Sequence, residues 1–249
     1  MKTEWDYTDL ADAYLQRPNY ADSAIDAMLS VAGIVKGDKV CDVGAGAAHL
    51  TLMLAARGLM ITAVEPNDAM RRNGIKRTSA FQNIDWYEGT GEQTDQESHA
   101  FDLVAFGSSF NVCDRSKALK ESARILKPKG WFACMWNHRQ LENEIQSQIE
   151  AIIKHRIPDY GYGSRREDQT KIVDSCQLFG PVVHLSSRVI HIQKIYQCVD
   201  AWRSHATLAR QAGILFESVI EAIEAYLLSL NTDSIDIPYS TNIWIAQLR

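Results

Sequence analysis

The 249-residue sequence has no excess of basic charge: 26 Lys and Arg stand against 31 Asp and Glu, a formal net charge of −5. A nucleic-acid-binding chain carries a basic face or stripe. The densest basic clusters here, Arg71-Arg72 with Lys76-Arg77 and Arg165-Arg166, are short, and the first reads as a solvated helix face. No apolar run approaches the roughly 18 residues a membrane-spanning helix needs, and there is no internal repeat or low-complexity tract. The five cysteines (Cys41, Cys113, Cys134, Cys176 and Cys198) form no Cys-x-x-Cys pair, and no His/Cys spacing suits zinc, so no metal is expected. Cys41 and Cys134 sit in apolar runs and read as reduced core thiols, which fits a reducing compartment. The N-terminal stretch MKTEWDYTDLADAY is polar and acidic, unlike a signal peptide. These absences predict a soluble, cytoplasmic protein with no nucleic-acid or membrane partner, and they leave its oligomeric state open.

The chain is 46% hydrophobic and 23% charged, ordinary for a globular domain. Strand-like and helix-like patterns alternate over its first half. Strands are expected at 39–43, 60–64, 84–87, 101–106 and 131–136. Helices are expected at 22–31, 49–57, 67–78 and 116–126, with Gly33 ending the first, Asn67 capping the third and 127–130 stopping the fourth. This tempo means βαβ units and a parallel sheet, and right-handed crossovers place helices on both faces. After Asn137 the pattern changes. Helices are expected at 141–157, 199–212 and 214–230, a loop at 159–168, and strands near 182–196 and 240–248 that return to the sheet. The predicted fold is α/β: a Rossmann-like sheet, mostly parallel with an antiparallel C-terminal strand, plus a helical cap. The whole chain, 1–249, reads as one domain with an N-terminal lid over 1–35 and cap insertions at about 138–180 and 200–232.

Val40-Cys41-Asp42-Val43-Gly44-Ala45-Gly46 is an apolar strand running into a glycine turn and then a helix. Glycine lets backbone bend tightly and approach a ligand, and a helix start offers free N–H groups. Glu65 follows Gly46 by 19 residues at the end of the second strand, where a carboxylate can accept both hydroxyls of a ribose. His49 occupies the place of the third glycine of the dinucleotide fingerprint, the glycine that serves helix–strand packing beside a pyrophosphate. The pattern therefore favours a ligand with ribose and adenine but no pyrophosphate.

Seven segments in order make the stretch 7–139 resemble the class I S-adenosylmethionine-dependent methyltransferases, closest to the small-molecule, trans-aconitate-type group. They are Tyr14 with Arg17-Pro18-Asn19-Tyr20, Asp42 to Gly46, Glu65-Pro66-Asn67 with Met70, Glu88 to Glu92, Phe101-Asp102-Leu103-Val104, Arg124 to Gly130, and Trp136-Asn137-x-Arg139. The resemblance implies S-adenosylmethionine as cofactor. It implies that Asp42 holds the methionine amine, that Gly44, Ala45 and Gly46 let backbone approach the methionine and ribose, and that Glu65 holds the ribose diol. Pro66, Met70, Thr90, Gly91 and Glu92 would lie around the adenine, Gly107 would offer a carbonyl to the amine, and Tyr14 and Arg17 would approach from the lid. Relatives often carry aromatic-His-aromatic after the fourth strand, where this sequence has Phe110-Asn111-Val112-Cys113. Asn111 replaces the histidine, and Phe110 and Asn111 are expected to face the acceptor.

The resemblance implies methyl transfer to a small-molecule acceptor, with O-methylation the expected form. His205, in Trp202-Arg203-Ser204-His205, is the candidate general base. Tyr162, Arg165, Arg166, Trp202 and Arg203 are candidate acceptor contacts, and because arginine grips carboxylates in a bidentate way an anionic acceptor is expected. Two other readings stand beside this one: a non-catalytic S-adenosylmethionine-binding module and an NAD(P)-dependent oxidoreductase.

Overall fold

A computed structural model describes Thr8, residues 11–15 and residues 17–249. The remaining N-terminal residues of the expected lid, and Tyr7 of the resemblance, lie outside the described residues. Seven strands form one sheet: β1 (Lys39–Val43), β2 (Met60–Val64), β3 (Ile84–Tyr87), β4 (Phe101–Gly107), β5 (Leu126–Arg139), β6 (Val183–Lys194) and β7 (Ser234–Gln247). Their order across the sheet is β3-β2-β1-β4-β5-β7-β6. β1 to β5 pair in parallel, and β7 runs antiparallel between β5 and β6. This is the Rossmann-like arrangement read from the sequence, with the antiparallel strand at the C-terminal end of the chain.

The period-two alternation of the strands explains the layers. On one face Val40, Leu103, Ala105, Ala133, Met135, Ile243 and Ile245 pack against Ile25 and Met28 of α2 (Asp22–Ala32) and Leu54 of α3 (His49–Ala55). The intervening residues Cys41, Val43, Val104, Phe106, Phe132, Cys134 and Trp244 face the other way. There they meet Ala118, Leu119 and Ile125 of α5 (Arg115–Ile125). Helix ends follow their residues. Gly33 closes α2 in the left-handed region at φ 66°, donating to the Leu29 and Ser30 carbonyls. Asn67 Oδ1 caps α4 (Asp68–Thr78) by accepting from the Ala69 and Met70 amides, a contribution of about 1 kcal/mol.

A third apolar cluster has its own core. Ile149 and Ile153 of α6 (Glu144–Arg156), Val199 and Trp202 of α8 (Ile195–Arg203), and Ile220 and Ile223 of α10 (Phe216–Ser229) pack with Ile235 and Ile237, at the start of β7. Four details depart from the sequence reading. β5 begins at Leu126, and its register with β4 jumps between Phe101 and Leu103, so the expected turn at 127–130 is a bulge within the strand. The expected helix 199–212 is two: α8 stops at Arg203, and α9 (Ala206–Ala212) starts afresh with the His205 side chain as its cap. A short 3-10 turn at Gly163–Arg166 stands within the expected loop. α7 (Thr170–Ser175) sends Val173 into the cluster under α5 rather than into the third one. The remaining helix, α1 (Ala11–Tyr14), lies beside α4 and α8.

Candidate active site

The carboxyl ends of β1, β2 and β4 converge on two adjoining cavities of about 700 and 1010 Å³, open mouths included. They lie at the position where open α/β sheets bind ligands. Tyr14, Gly44, Gly46, Gly107 and Ser108 line both, so the cavities meet at the β1 turn.

The first cavity is built around Glu65. Its side chain is buried at 7% exposure. Oε2 accepts from the Gly46 N–H at 2.8 Å and Oε1 from the Asn67 N–H at 2.9 Å. The glycine bend and the carboxylate read from the sequence are thus joined directly. Burial raises the Glu65 carboxyl above its ordinary range, and the two amides pull against that rise. Pro66, Met70, Thr90, Gly91 and Glu92 form the rest of this wall with Asn67, Val112 and Cys113. Gly91 has no room for a side chain, since a Cβ there would stand 2.5 Å from Cys113 Sγ. At Gly44, with φ +68°, a Cβ would come within 2.4 Å of Ser109 Cβ, so the β1 turn requires glycine.

The second cavity holds Asp42, Ala45, Arg17, Asn111, Arg165 and His205. Asp42 Oδ2 accepts from Thr51 Oγ at 2.6 Å, while Oδ1 is enclosed and has no partner. Burial pushes this carboxyl up to about 7. Arg17 reaches the α8–α9 corner, where its Nη2 donates to the Ser204 carbonyl at 2.8 Å. Asn111 Oδ1 accepts from Trp136 Nε1 at 2.9 Å, so its amide nitrogen is the end left for a ligand.

All thirteen residues expected on the cofactor side line one cavity or the other, as do Asn111, Arg165 and His205 from the acceptor side. The other acceptor candidates stand elsewhere. Phe110 is fully buried among Phe106 and Phe132. Tyr162 donates to Glu150 Oε2, with Arg166 over its ring. Trp202 is buried beneath the Arg139 guanidinium. Arg203 pairs with Asp200 and Glu224 at the surface. Sequence reasoning gave no role to Arg139, Tyr239, Tyr20 or His49, all of which line the second cavity. Arg139 had a signal, because it closes the last segment of the resemblance; Tyr239 comes from a strand paired in space, and nothing local marks it.

His205 is fixed by its cap. Nδ1 accepts from the Leu208 N–H at 3.2 Å and therefore carries the lone pair. Burial and the nearby Arg165, Arg17 and Arg139 hold the ring well below its ordinary range, so it is neutral with its proton on Nε2. His49 is likewise neutral, pushed down to about 3 by burial and Arg77, with Nε2 donating to the Tyr14 carbonyl.

The strand ends, the glycine turn and Glu65 coincide with a recognised pattern. Residues 41–134 match the family model of a methyltransferase domain. An uncharacterized methyltransferase of Mycobacterium tuberculosis is 33% identical over 123 residues, 49% of this chain and 48% of the relative. A ubiquinone/menaquinone biosynthesis C-methyltransferase of Rickettsia akari is 29% identical over 153 residues, 56% of this chain and 61% of the relative. The chain thus spans about half the length of the first of these curated relatives and somewhat more of the second. Among solved structures, a chain from Anabaena variabilis named as a methyltransferase of an antibiotic biosynthesis pathway superposes with a TM-score of 0.63 at 17% identity, covering 89% of this chain and 96% of that one. A Haemonchus contortus phosphoethanolamine N-methyltransferase, solved with S-adenosyl-L-methionine, gives 0.55 at 14% identity over 99% of this chain and 58% of that one. At such identities these superpositions establish the methyltransferase-type fold and nothing finer.

Proposed function

We propose that the protein transfers a methyl group from S-adenosylmethionine to a small-molecule acceptor bound in the second cavity, beneath the helical cap formed by α6, α8, α9 and α10. The observation that carries this reading is the placing of two buried carboxylates beside one glycine bend, Glu65 bonded to its Gly46 amide and Asp42 with one oxygen unpartnered. Each Glu65 oxygen accepts one backbone N–H and keeps a second lone pair, suited to a ribose diol, and Asp42 Oδ1 is enclosed without a donor, suited to an ammonium. Lining the two adjoining cavities separately, these carboxylates suit an adenosyl group in the first cavity and an amino-acid tail entering the second. Solved proteins of the same fold hold S-adenosylmethionine, its demethylated product or sinefungin.

When bound, the cofactor supplies a methyl group made electrophilic by its sulfonium. The chain's own part is to position and to exclude water. Gly44 and Gly46 bring backbone close, Glu65 and Asp42 fix the two ends, and Tyr14 and Arg17 cover the junction from the N-terminal side. Neither His205, protonated on Nε2, nor His49, held by Tyr14, is placed to take a proton, so we assign an acceptor atom that arrives already ionised, an oxyanion. C-methylation is the second reading, favoured by the name of the Rickettsia relative. The five free cysteines support a reducing, cytoplasmic location.

Calorimetric titration with S-adenosylmethionine and S-adenosylhomocysteine tests the cofactor assignment, and the absence of binding by either refutes it. Release of S-adenosylhomocysteine in a metabolite screen tests turnover and separates an enzyme from a binding module. The carbon-13 shift of the transferred methyl separates oxygen from carbon acceptors.

A further inference from the structure

Three guanidinium groups border the second cavity: Arg17, Arg139 from the end of β5, and Arg165 from the 3-10 turn. Among the described residues none of the three is ion-paired with a carboxylate, whereas Arg203 and Arg71 each pair with two. Arg17 is committed to Ser204. Arg139 and Arg165 each have an Nε shut off from solvent with no hydrogen-bond partner. Uncompensated positive charge in a closed site is costly, and it is relieved when an anion arrives.

The contact between Arg165 and His205 points to where that anion sits. Arg165 Nη1 lies 3.3 Å from His205 Nε2. Arginine has donors only. His205 Nδ1 already accepts from Leu208, so Nε2 carries a hydrogen. Two donors face each other, and neither can satisfy the other. The Thr207 hydroxyl accepts from the same Nη1 only at 3.5 Å; a third group that accepts twice on one side would satisfy both donors, and a carboxylate does this in the planar, bidentate way that suits arginine.

We infer that Arg165 and His205 form a two-donor clamp for a carboxylate of the methyl acceptor, with Arg139 behind it, and that His205 orients the acceptor rather than removing a proton from it. This rests on the acceptor occupying the second cavity, as proposed above.

The test uses protein saturated with S-adenosylhomocysteine, titrated with acetate, glutarate and benzoate, with the matching amides acetamide, glutaramide and benzamide, and with inorganic phosphate. At least one carboxylate is expected to bind tenfold or more tightly than its amide and than phosphate. Arg165→Gln and His205→Asn are each expected to weaken that carboxylate at least tenfold, with S-adenosylhomocysteine affinity within twofold of the parent. His205→Asn is chosen because asparagine can still cap α9. Nitrogen-15 spectra of the unmutated protein are expected to show His205 protonated at Nε2. A proton on Nδ1, equal binding of every carboxylate and its amide, tightest binding of phosphate, or unchanged carboxylate affinity in both variants would each overturn the clamp. A protein that fails to bind S-adenosylhomocysteine overturns the functional reading itself, which separates the two failures.

Discussion

In Glu65→Gln one carboxylate oxygen becomes an NH2 group while size and shape stay the same. Whichever way the amide turns, its NH2 meets a backbone donor, because Oε2 now accepts from Gly46 and Oε1 from Asn67. An unsatisfied buried donor costs about 1–3 kcal/mol. Against that, the carboxylate is held above its usual range by burial, so removing the charge recovers part of the loss. The net expectation is about 1–2 kcal/mol, which for a chain of this size lowers the melting temperature by about 2–8 °C. Ligand affinity falls further, because a charged acceptor that can take both ribose hydroxyls is lost. One such bond is worth about 1.5–3 kcal/mol, or roughly 10–150-fold in Kd. Calorimetry with S-adenosylhomocysteine and its 2′-deoxy analogue forms a double cycle. The parent protein is expected to discriminate against the deoxy ligand and the variant to lose that discrimination. Equal affinity of parent and variant for S-adenosylhomocysteine, or an unchanged deoxy penalty, refutes the assignment of Glu65 to the ribose.

Three further outcomes follow from the same geometry. The Asp42 carboxyl stands at about 7 in the fold against 3.8 ordinarily. A raised carboxyl favours the protonated fold, so this group's own contribution to ligand-free stability is complete below about pH 4 and falls by on the order of 4 kcal/mol as pH rises through about 7; the difference in melting temperature between the parent and Asp42→Asn should follow that slope. Because an ammonium needs the ionised carboxylate, S-adenosylhomocysteine should bind more tightly as pH rises from 5.5 to 7.5, and calorimetry should show that trend vanish in Asp42→Asn. In Gly91→Ala the new Cβ would meet Cys113 Sγ at 2.5 Å and Phe106 Cε1 at 3.2 Å; displacing Cys113 into the first cavity should weaken S-adenosylhomocysteine at least tenfold, and an unchanged Kd would show that the wall yields. Arg203 pairs only with half-exposed acids, so Arg203→Ala should shift stability by less than about 1 kcal/mol and leave carboxylate binding by the loaded protein unaltered.

The residues expected on the cofactor side come together around the β1 turn because each belongs to a short local pattern at a strand end. A strand ending in Asp42-Val43-Gly44-Ala45-Gly46 bends in one way, and Glu65, at the same end of the neighbouring parallel strand, has to arrive beside it. The pairing of Val43 with Val64 fixes that arrival. The sheet order was less legible. β7 enters between β5 and β6, a long-range pairing for which the alternation of 240–248 gave a strand but no neighbour.

The far wall of the second cavity depends on rotational phase, which adjacent residues do not share. Arg165 and Arg166 are neighbours in one basic loop, yet the 3-10 turn aims Arg165 into the cavity while Arg166 donates to the Arg139 carbonyl at 2.8 Å. The same few bonds set that phase. His138 Nε2 donates to the Arg165 carbonyl at 2.7 Å, and Gln169 Nε2 donates to the Ser164 and Glu167 carbonyls at 2.8 Å. The end of β5 therefore supplies Arg139 directly and also holds the turn that supplies Arg165. His205 arrives from the opposite side, at a break between α8 and α9 that its own side chain caps. No periodicity marks that break, since the residues on either side of it are ordinary helix formers. The cap and the cavity are thus specified together: the bond that ends one helix and starts the next is also the bond that fixes which nitrogen of His205 faces Arg165.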